Sequence, residues 1–575
     1  MKILFGYIKK HWFIALLGPL FMLLEVAMDL LQPMFMASII DEGVMLGNYE
    51  HIIKLAFYMI GAAILGLIGG VGCTIFASIA SMRFGHDVRQ DAYTIFNKLQ
   101  LKQMDKLQSG SVITRLTNDI IQIQNMVAML LRVLVRSPLL LIGSLIMAVY
   151  ISLRLSIIVA IAVPLLFLVM WVIIRKTLPL FSHVQQKLDR MNTVLQENLL
   201  GIRASKVFVR ADFETKRFVE ANDGFTSNSI KAQALMALNG PLLTFILNIS
   251  IVAVLLCGGR FVIDGSFEVG LLIAYINYVV QLLNAVSSIA NNLVRLSSAK
   301  VSADRVVELL VLDTSLVNEH YDKQKIKGNI TFKDVSFNYN SKASQDTLKH
   351  INLNINAGSK VAIIGATGSG KTTLVSLLPV LYKVTDGEIL IDHKPIETYD
   401  VHALRKQISY VLQDLTIFSG TIAFNIAFGK PNATTDEIRK AAQIACIDDY
   451  IEGLPNQYDT VIGEKGVNLS GGQKQRLAIA RAIIEARPII IFDDSTSAID
   501  MRTEAKILEQ LKQHCEQSTL IIVAQKISSV MDAEQIIVLD NGEIIAVGTH
   551  DNLLKNEPTY QDIYRSQLGN EVEVK

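Results

Sequence analysis

The stretch Val361-Ala362-Ile363-Ile364-Gly365-Ala366-Thr367-Gly368-Ser369-Gly370-Lys371-Thr372 decides the fold of the C-terminal part of this 575-residue chain. Its four apolar residues read as a short buried strand, its glycine-rich run as a loop, and Thr373-Leu374-Val375-Ser376-Leu377-Leu378 as a helix. In that order of elements, backbone N–H groups converge on phosphate oxygens and the helix offers its positive end. Lys371 would reach the β- and γ-phosphates, and Thr372 would ligate Mg²⁺. Gly365, Thr367, Gly368, Ser369, Gly370, Lys371, Thr372 and Thr373 are the expected cradle.

Ile489-Ile490-Ile491-Phe492 forms a second apolar strand and delivers Asp493 at its tip as the expected Mg²⁺-side carboxylate, next to Asp494. Between the two strands, Leu469-Ser470-Gly471-Gly472-Gln473 opens the helical run Lys474 to Glu485, making a second anion nest at a helix start. One triphosphate does not need two nests. Ser470, Gly471, Gly472 and Gln473 are therefore expected to serve a nucleotide bound to another subunit.

The N-terminal half is of another kind. Hydrophobic residues make up 51% of the chain, charged residues 19%, and mean hydropathy is +0.38, which favours a membrane protein over a soluble one. A net charge of +1 supplies no field for gathering nucleic acid. Apolar stretches long enough to cross a bilayer run roughly over 11–40, 55–81, 126–150, 155–178, 241–263 and 269–296. The N-terminal apolar run is too long for a cleaved signal segment. The two long connections carry the basic residues, among them Arg83, Arg89, Lys98 and Arg115 in one and Arg175, Lys176, Arg203 and Arg210 in the other. The positive-inside rule then puts both long connections and both termini in the cytoplasm. Little Gly or Pro interrupts 82–125 and 179–240, so long helices should project there. The four cysteines lack metal spacing and read as buried thiols.

Together these features resemble the ATP-binding cassette family, and the likeness spans essentially the whole chain. The phosphate loop, Gln413 after a strand, the Leu469 to Gln473 signature, the Asp493 strand and Ser497-Ala498-Ile499-Asp500 occur in the family's order and spacing. Six spans followed by one nucleotide domain look like a type IV exporter half-transporter. The resemblance implies an all-α six-helix transmembrane domain with cytoplasmic helical extensions over 1–310, a linker over 311–328, and an α/β P-loop nucleotide-binding domain with a helical subdomain over 329–575. It implies ATP and Mg²⁺ as cofactors, Tyr339 stacked on adenine, Gln413 touching Mg²⁺, and Asp500 in the turn beside the nucleotide. Glu464 with Gly466 resembles the segment that touches a partner's coupling helix, although a solvated carboxylate would look the same. Arg115-Leu116-Thr117-Asn118-Asp119 and Gly201-Ile202-Arg203 resemble intracellular-loop elements.

At two positions the chain departs from the family pattern. Asp494 stands where the family has the Glu that polarises the attacking water, and Gln525 where it has a His on the γ-phosphate. A carboxylate shortened by one methylene retracts by about 1.5 Å, and a misplacement of about 1 Å can cost roughly a hundredfold in rate. An amide donates a hydrogen bond but carries no charge. The implied arrangement is a heterodimer with a second, non-identical half-transporter in a bacterial plasma membrane, in which this chain's signature completes the active site of the partner.

For the cargo, a small amphipathic compound, the sequence offers Glu25 and Asp29 in the first span and the stripe Asn277, Gln281 and Asn284 in the sixth. The acids could attract a lipophilic cation or be paired and hydrated near an interface; the amides could line a path or bond helix to helix. Multidrug export leads, with lipid or peptide export and a non-pumping ATP sensor as alternatives.

Overall fold

The computed structural model describes residues 2–107, 109–312, 324–339 and 346–568. They form two compact units, Met1–Asn97 with Ser109–Leu312, and Lys98–Gln108 with Asp313–Lys575. The 311–328 linker expectation falls largely on 313–323, outside the described residues.

The described residues of the first unit are helical throughout. After α1 (Lys2–Lys10) come α2 (Trp12–Ser38) and α3 (Tyr49–Lys98); α4 (Leu101–Lys106) belongs to the second unit. The first unit resumes with α5 (Ser109–Thr114), α6 (Ile120–Ile151), α7 (Ser156–Leu200), α8 (Ile202–Val207), α9 (Ala211–Ala237), α10 (Asn239–Ile263) and α11 (Val269–Leu310). Among the described residues six helical segments are long and apolar enough to cross a membrane: Trp12–Val44, Tyr49–Lys98, Gly110–Ile151, Ser156–Leu200, Ala211–Ile263 and Val269–Ile289. At 1.5 Å per residue α3, 50 residues long, extends roughly 75 Å, more than twice a bilayer core, so it runs well past the membrane.

Packing inside a bilayer relies on close approach rather than on expulsion of water, and glycines supply it here. A Cβ on Gly69 of α3 would lie 2.8 Å from both Glu25 N and Phe21 O of α2, and one on Gly143 of α6 would lie 2.3 Å from Leu30 Cδ1. Polar ties add direction. Asp41, in the π-helical turn Ile39–Val44, accepts the first N–H groups of α11, from Gly270 at 2.7 Å and Leu271 at 3.1 Å. At the other end of the bundle the buried Asp119 accepts from Arg305 Nε and Ser302 Oγ, both at 2.8 Å, while Arg115 pairs with Glu308 at 2.9 Å.

The long connections are helical over most of their length, with α3, α7 and α9 running through them; breaks fall after Lys98, where the chain passes into short pieces, and at Gly201, which ends α7 and starts α8. One expectation needs correction: not all four cysteines are buried. Only Cys73 is; Cys257 is exposed on α10, and Cys446 and Cys515 are half-buried.

The second unit contains two main sheets. β1 (Ile330–Phe337), β2 (Leu348–Ile355), β4 (Asp386–Ile391) and β5 (Lys394–Pro395) form an antiparallel sheet in the order β2-β1-β4-β5. β3 (Lys360–Ile364), followed by α12 (Lys371–Ser376), joins β6 (Ile408–Val411), β9 (Ile489–Asp493), β10 (Thr519–Val523), β11 (Gln535–Asp540) and β12 (Glu543–Gly548) in the order β12-β11-β3-β10-β9-β6. All pairs in this sheet are parallel except β11 with β12. A short pair joins β7 (Gly420–Thr421) to β8 (Val461–Ile462).

Parallel strands covered on both faces read as continuous apolar runs, and these do. Ile363, Ile491, Ile521 and Ile537 enter one core layer, while Ile364, Ile490, Phe492, Ile522 and Val538 enter the other. The second layer also packs the helices Ile422–Ala427, Thr435–Ile444 and Gly471–Ile483, which make up a helical subdomain.

Candidate functional site

In a parallel sheet the residues just past the carboxyl ends of neighbouring strands meet at one edge. β3, β10 and β9 are neighbours, so the loop after β3, Gln525 after β10, and Asp493 with Asp494 at the end of β9 converge there.

The loop is shaped by its glycines. Gly365 and Gly370 hold φ of 159° and 100°, and a Cβ on Gly365 would fall 2.0 Å from Leu539 O. Lys371 Nζ donates to the carbonyls of Gly365 at 2.9 Å and Ala366 at 2.8 Å, so the ammonium is held over the loop. Burial pulls the Lys371 ammonium below its ordinary value, against the pull of the Asp494 and Asp493 carboxylates. The Oγ of Ser369 is buried with no hydrogen-bond partner among the described residues. Thr372 Oγ1 donates to Asp493 Oδ1 at 2.9 Å, and Tyr410 donates to Asp493 Oδ2 at 3.0 Å. A cradle with no room for a Cβ, an unsatisfied buried hydroxyl and a hydroxyl–carboxylate pair fit a Mg²⁺-triphosphate. Burial raises the Asp493 and Asp494 carboxyls above the ordinary carboxylate range.

The two unusual residues meet each other. Gln525 Nε2 donates to Asp494 Oδ2 at 2.8 Å, and Asp494 itself sits at φ 48°. Gln567 in turn donates to the Gln525 carbonyl at 2.7 Å. Beside them Ser497 donates to Asp494 O at 3.2 Å and receives from Gln475 Nε2 at 3.1 Å, which links the turn to the Gly471–Ile483 helix.

That helix is capped reciprocally: Ser470 Oγ accepts from Gln473 N at 3.3 Å, and Gln473 Oε1 accepts from Ser470 N at 2.7 Å. A Cβ on Gly472 would approach Ala498 O to 3.0 Å, so the nest is pressed against the turn ahead of Asp500. Asp500 caps the next helix, Met501–His514, by accepting from Thr503 N at 2.9 Å. Tyr339 has its hydroxyl 3.1 Å from Thr373 Oγ1 and its ring edge-on to Tyr382, with 42% of the residue exposed and free to stack. Gln413 is exposed just beyond β6, and Gly368 sits at φ 87° on the loop beside Thr367. Glu464 is exposed on a 3₁₀ turn ending at the buried Gly466. Gln413, Glu464 and Ser470 lie on surfaces exposed in the isolated chain.

In the membrane unit both acids named from the sequence are paired. Arg136 Nε lies 3.2 Å from Glu25 Oε1, and Arg136 Nη2 lies 3.0 Å from Asp29 Oδ2. Gln281 Nε2 reaches Asp29 O at 3.5 Å and its Oε1 accepts from Ser144 at 3.3 Å, while Asn277 and Asn284 are exposed on the same helix. Arg136, and Arg132 one turn before it, escaped the reading of the sequence. Two arginines four apart inside an apolar span were the available signal.

Comparison with known proteins agrees with this geometry. The ABC transporter transmembrane region model matches residues 15–286 and the ABC transporter model residues 348–497. An uncharacterised ABC transporter ATP-binding protein of Bacillus subtilis is 39% identical over 98% of both chains. An ATP-dependent lipid A-core flippase of Syntrophus aciditrophicus is 33% identical over 86% of this chain and 83% of its own. A Bacillus subtilis ATP-binding/permease protein named for multidrug export is 33% identical over 86% of this chain and 85% of its own. The solved structure of a bacterial Atm1-family ABC exporter with ATP bound superposes with a TM-score of 0.81 at 26% identity, covering 97% of this chain and 98% of that one. The chain is a multi-pass membrane protein and belongs to the ABC transporter family, with the fold of its exporters.

Proposed function

We propose that this chain is the hydrolysis-impaired subunit of a heterodimeric exporter that moves amphipathic compounds out of the cytoplasm or the inner leaflet. The bond between Asp494 and Gln525 carries the reading. When bound, Mg²⁺-ATP would be held by Lys371, Ser369, Thr372 and Asp493, with Gln413 as a further Mg²⁺ contact and Tyr339 under the adenine; ATP supplies the driving force. Asp494 occupies the position from which a carboxylate takes up a water proton, but it is short and its Oδ2 is engaged by the Gln525 amide. Gln525 lacks the charge that would stabilise a developing phosphoryl anion. Holding ATP needs neither residue, so binding should outlast cleavage.

Ser470, Gly471, Gly472 and Gln473 form an intact nest, which would complete a partner's site even though this chain's own site is weak. Two copies of this chain would share the weakness at both composite sites. A different partner carrying the Glu and the His repairs it. The concentration of basic residues in the long connections supports cytoplasmic termini, and relatives named for multidrug export and lipid A-core flipping favour an amphipathic cargo. Purifying the chain alone and with its co-assembling partner, then measuring ATPase activity, tests the proposal. Brisk hydrolysis by the chain alone would refute it.

A further inference from the structure

Four charged side chains sit within the apolar spans of α2 and α6: Glu25 and Asp29 one turn apart, and Arg132 and Arg136 one turn apart. Arg136 bridges both carboxylates, with contacts of 3.2 Å and 3.0 Å. Arg132 makes no ion pair or hydrogen bond with any described residue and is exposed. The Arg136 side chain is itself 44% exposed.

Guanidinium groups in a bilayer are expensive and mark function by default, the more so when no carboxylate meets them. Among the described residues two acids share one arginine and a second arginine is left over. A cationic cargo would have to compete for the acids with Arg136, which is tethered beside them. An oxyanion faces the opposite situation. It meets Arg132 directly, and it can take over a donor pair of Arg136 as the longer Glu25 contact lets go. The planar fork of arginine matches phosphate and carboxylate oxygens two at a time. Gln281, held against Asp29 O, and the exposed Asn284 extend the polar stripe along α11 and add neutral donors.

We infer that Arg132 and Arg136 form a recognition point for the oxyanion headgroup of an amphiphilic cargo, with Glu25 and Asp29 holding Arg136 in place until that headgroup arrives. The inference rests on the export reading and narrows its cargo class.

The full chain, assembled with its partner in phosphatidylcholine vesicles, is exposed to a photoactivatable phosphatidic acid or a matched photoactivatable phosphatidylcholine, and labelled peptides are read by mass spectrometry. The phosphatidic acid should label the α6 peptide around Arg132 and Arg136 preferentially. Arg132→Gln should cut that labelling about tenfold, the loss of one charge-assisted contact, while Arg132→Lys retains most of it. Excess tetraphenylphosphonium and excess inorganic phosphate should not displace the label, because one has the wrong charge and the other no tail. Equal labelling by both lipids, indifference to Arg132→Gln in protein that still elutes as a single species, or displacement by either competitor would overturn the inference. ATP-driven translocation is scored separately. Headgroup-selective labelling without translocation of any probe would refute export and leave the site standing, whereas pumping of a cation without selective labelling would do the reverse.

Discussion

Restoring the two unusual residues is the most direct perturbation of the nucleotide site. In the Asp494→Glu, Gln525→His double variant the carboxylate advances by one C–C bond, about 1.5 Å, and the amide that holds Asp494 Oδ2 at 2.8 Å gives way to an imidazole able to carry charge. A displacement of about 1 Å is worth roughly a hundredfold in rate, which corresponds to about 2.7 kcal/mol of barrier. Much of that gain should be recovered in a site whose loop, Thr372 and Asp493 are otherwise complete. The assay uses the chain alone in vesicles at a density at which chemical cross-linking shows two copies paired, so that each supplies its signature to the other, and compares steady-state phosphate release with ATP affinity. Phosphate release should rise between tenfold and a hundredfold while affinity changes less than about threefold. Equal hydrolysis by the unaltered chain and the double variant would refute the reasoning, because reach and charge would then not be what limits it.

Three further outcomes follow from other parts of the molecule. Removing the Tyr339 ring with Tyr339→Ala should weaken ATP binding by the value of one base stack, about 1–3 kcal/mol, while Tyr339→Phe keeps it; fluorescent nucleotide titration distinguishes the two. Gly69→Leu drives a side chain into α2 backbone 2.8 Å away and should lower the thermal midpoint in detergent by the equivalent of about 1–3 kcal/mol, whereas Gly61→Ala, with nothing within 4 Å, should leave it unchanged. The ammonium of Lys10, donating at 2.9 Å, with His86 and His11 beside it, pulls the Asp87 carboxyl down to about 2. Because the folded value is depressed, this stabilisation is present above the ordinary carboxylate range and is lost as pH falls toward 2. Asp87→Asn should therefore cost on the order of 1 kcal/mol near pH 7, after discounting for the exposed Lys10, and the gap in thermal midpoint should close between pH 4 and 2.

Much of this architecture was legible because it rests on local pattern. Apolar length identifies a span, and the Gly365 to Thr372 run shapes a phosphate loop wherever it occurs. What escaped depends on which strands and helices become neighbours. That Asp494 and Gln525 bond to each other requires β9 and β10 to lie side by side, and a separation of 31 positions in sequence conceals it. Glu25 and Asp29 were visible as acids in a span, but their partner Arg136 lies 107 residues beyond Asp29, on another helix. The exposure of Cys257 likewise depends on which face α10 turns outward, and no neighbouring residue announces it. Helix ends were the other weak point, since the breaks at Lys98 and Gly201 interrupt stretches with good helical composition.

The assignment of Lys98–Gln108 to the second compact unit has a consequence for biogenesis. Asp105, on α4, accepts a hydrogen bond at 2.7 Å from Tyr382, which is translated 277 residues later. At about 5–20 residues per second the ribosome needs roughly 14–55 s to deliver that phenol, during which the segment has been made but its mate has not. For this long α4 stands without the rest of its own compact unit, so lesions that slow synthesis of 313–575 should leave that segment open to degradation.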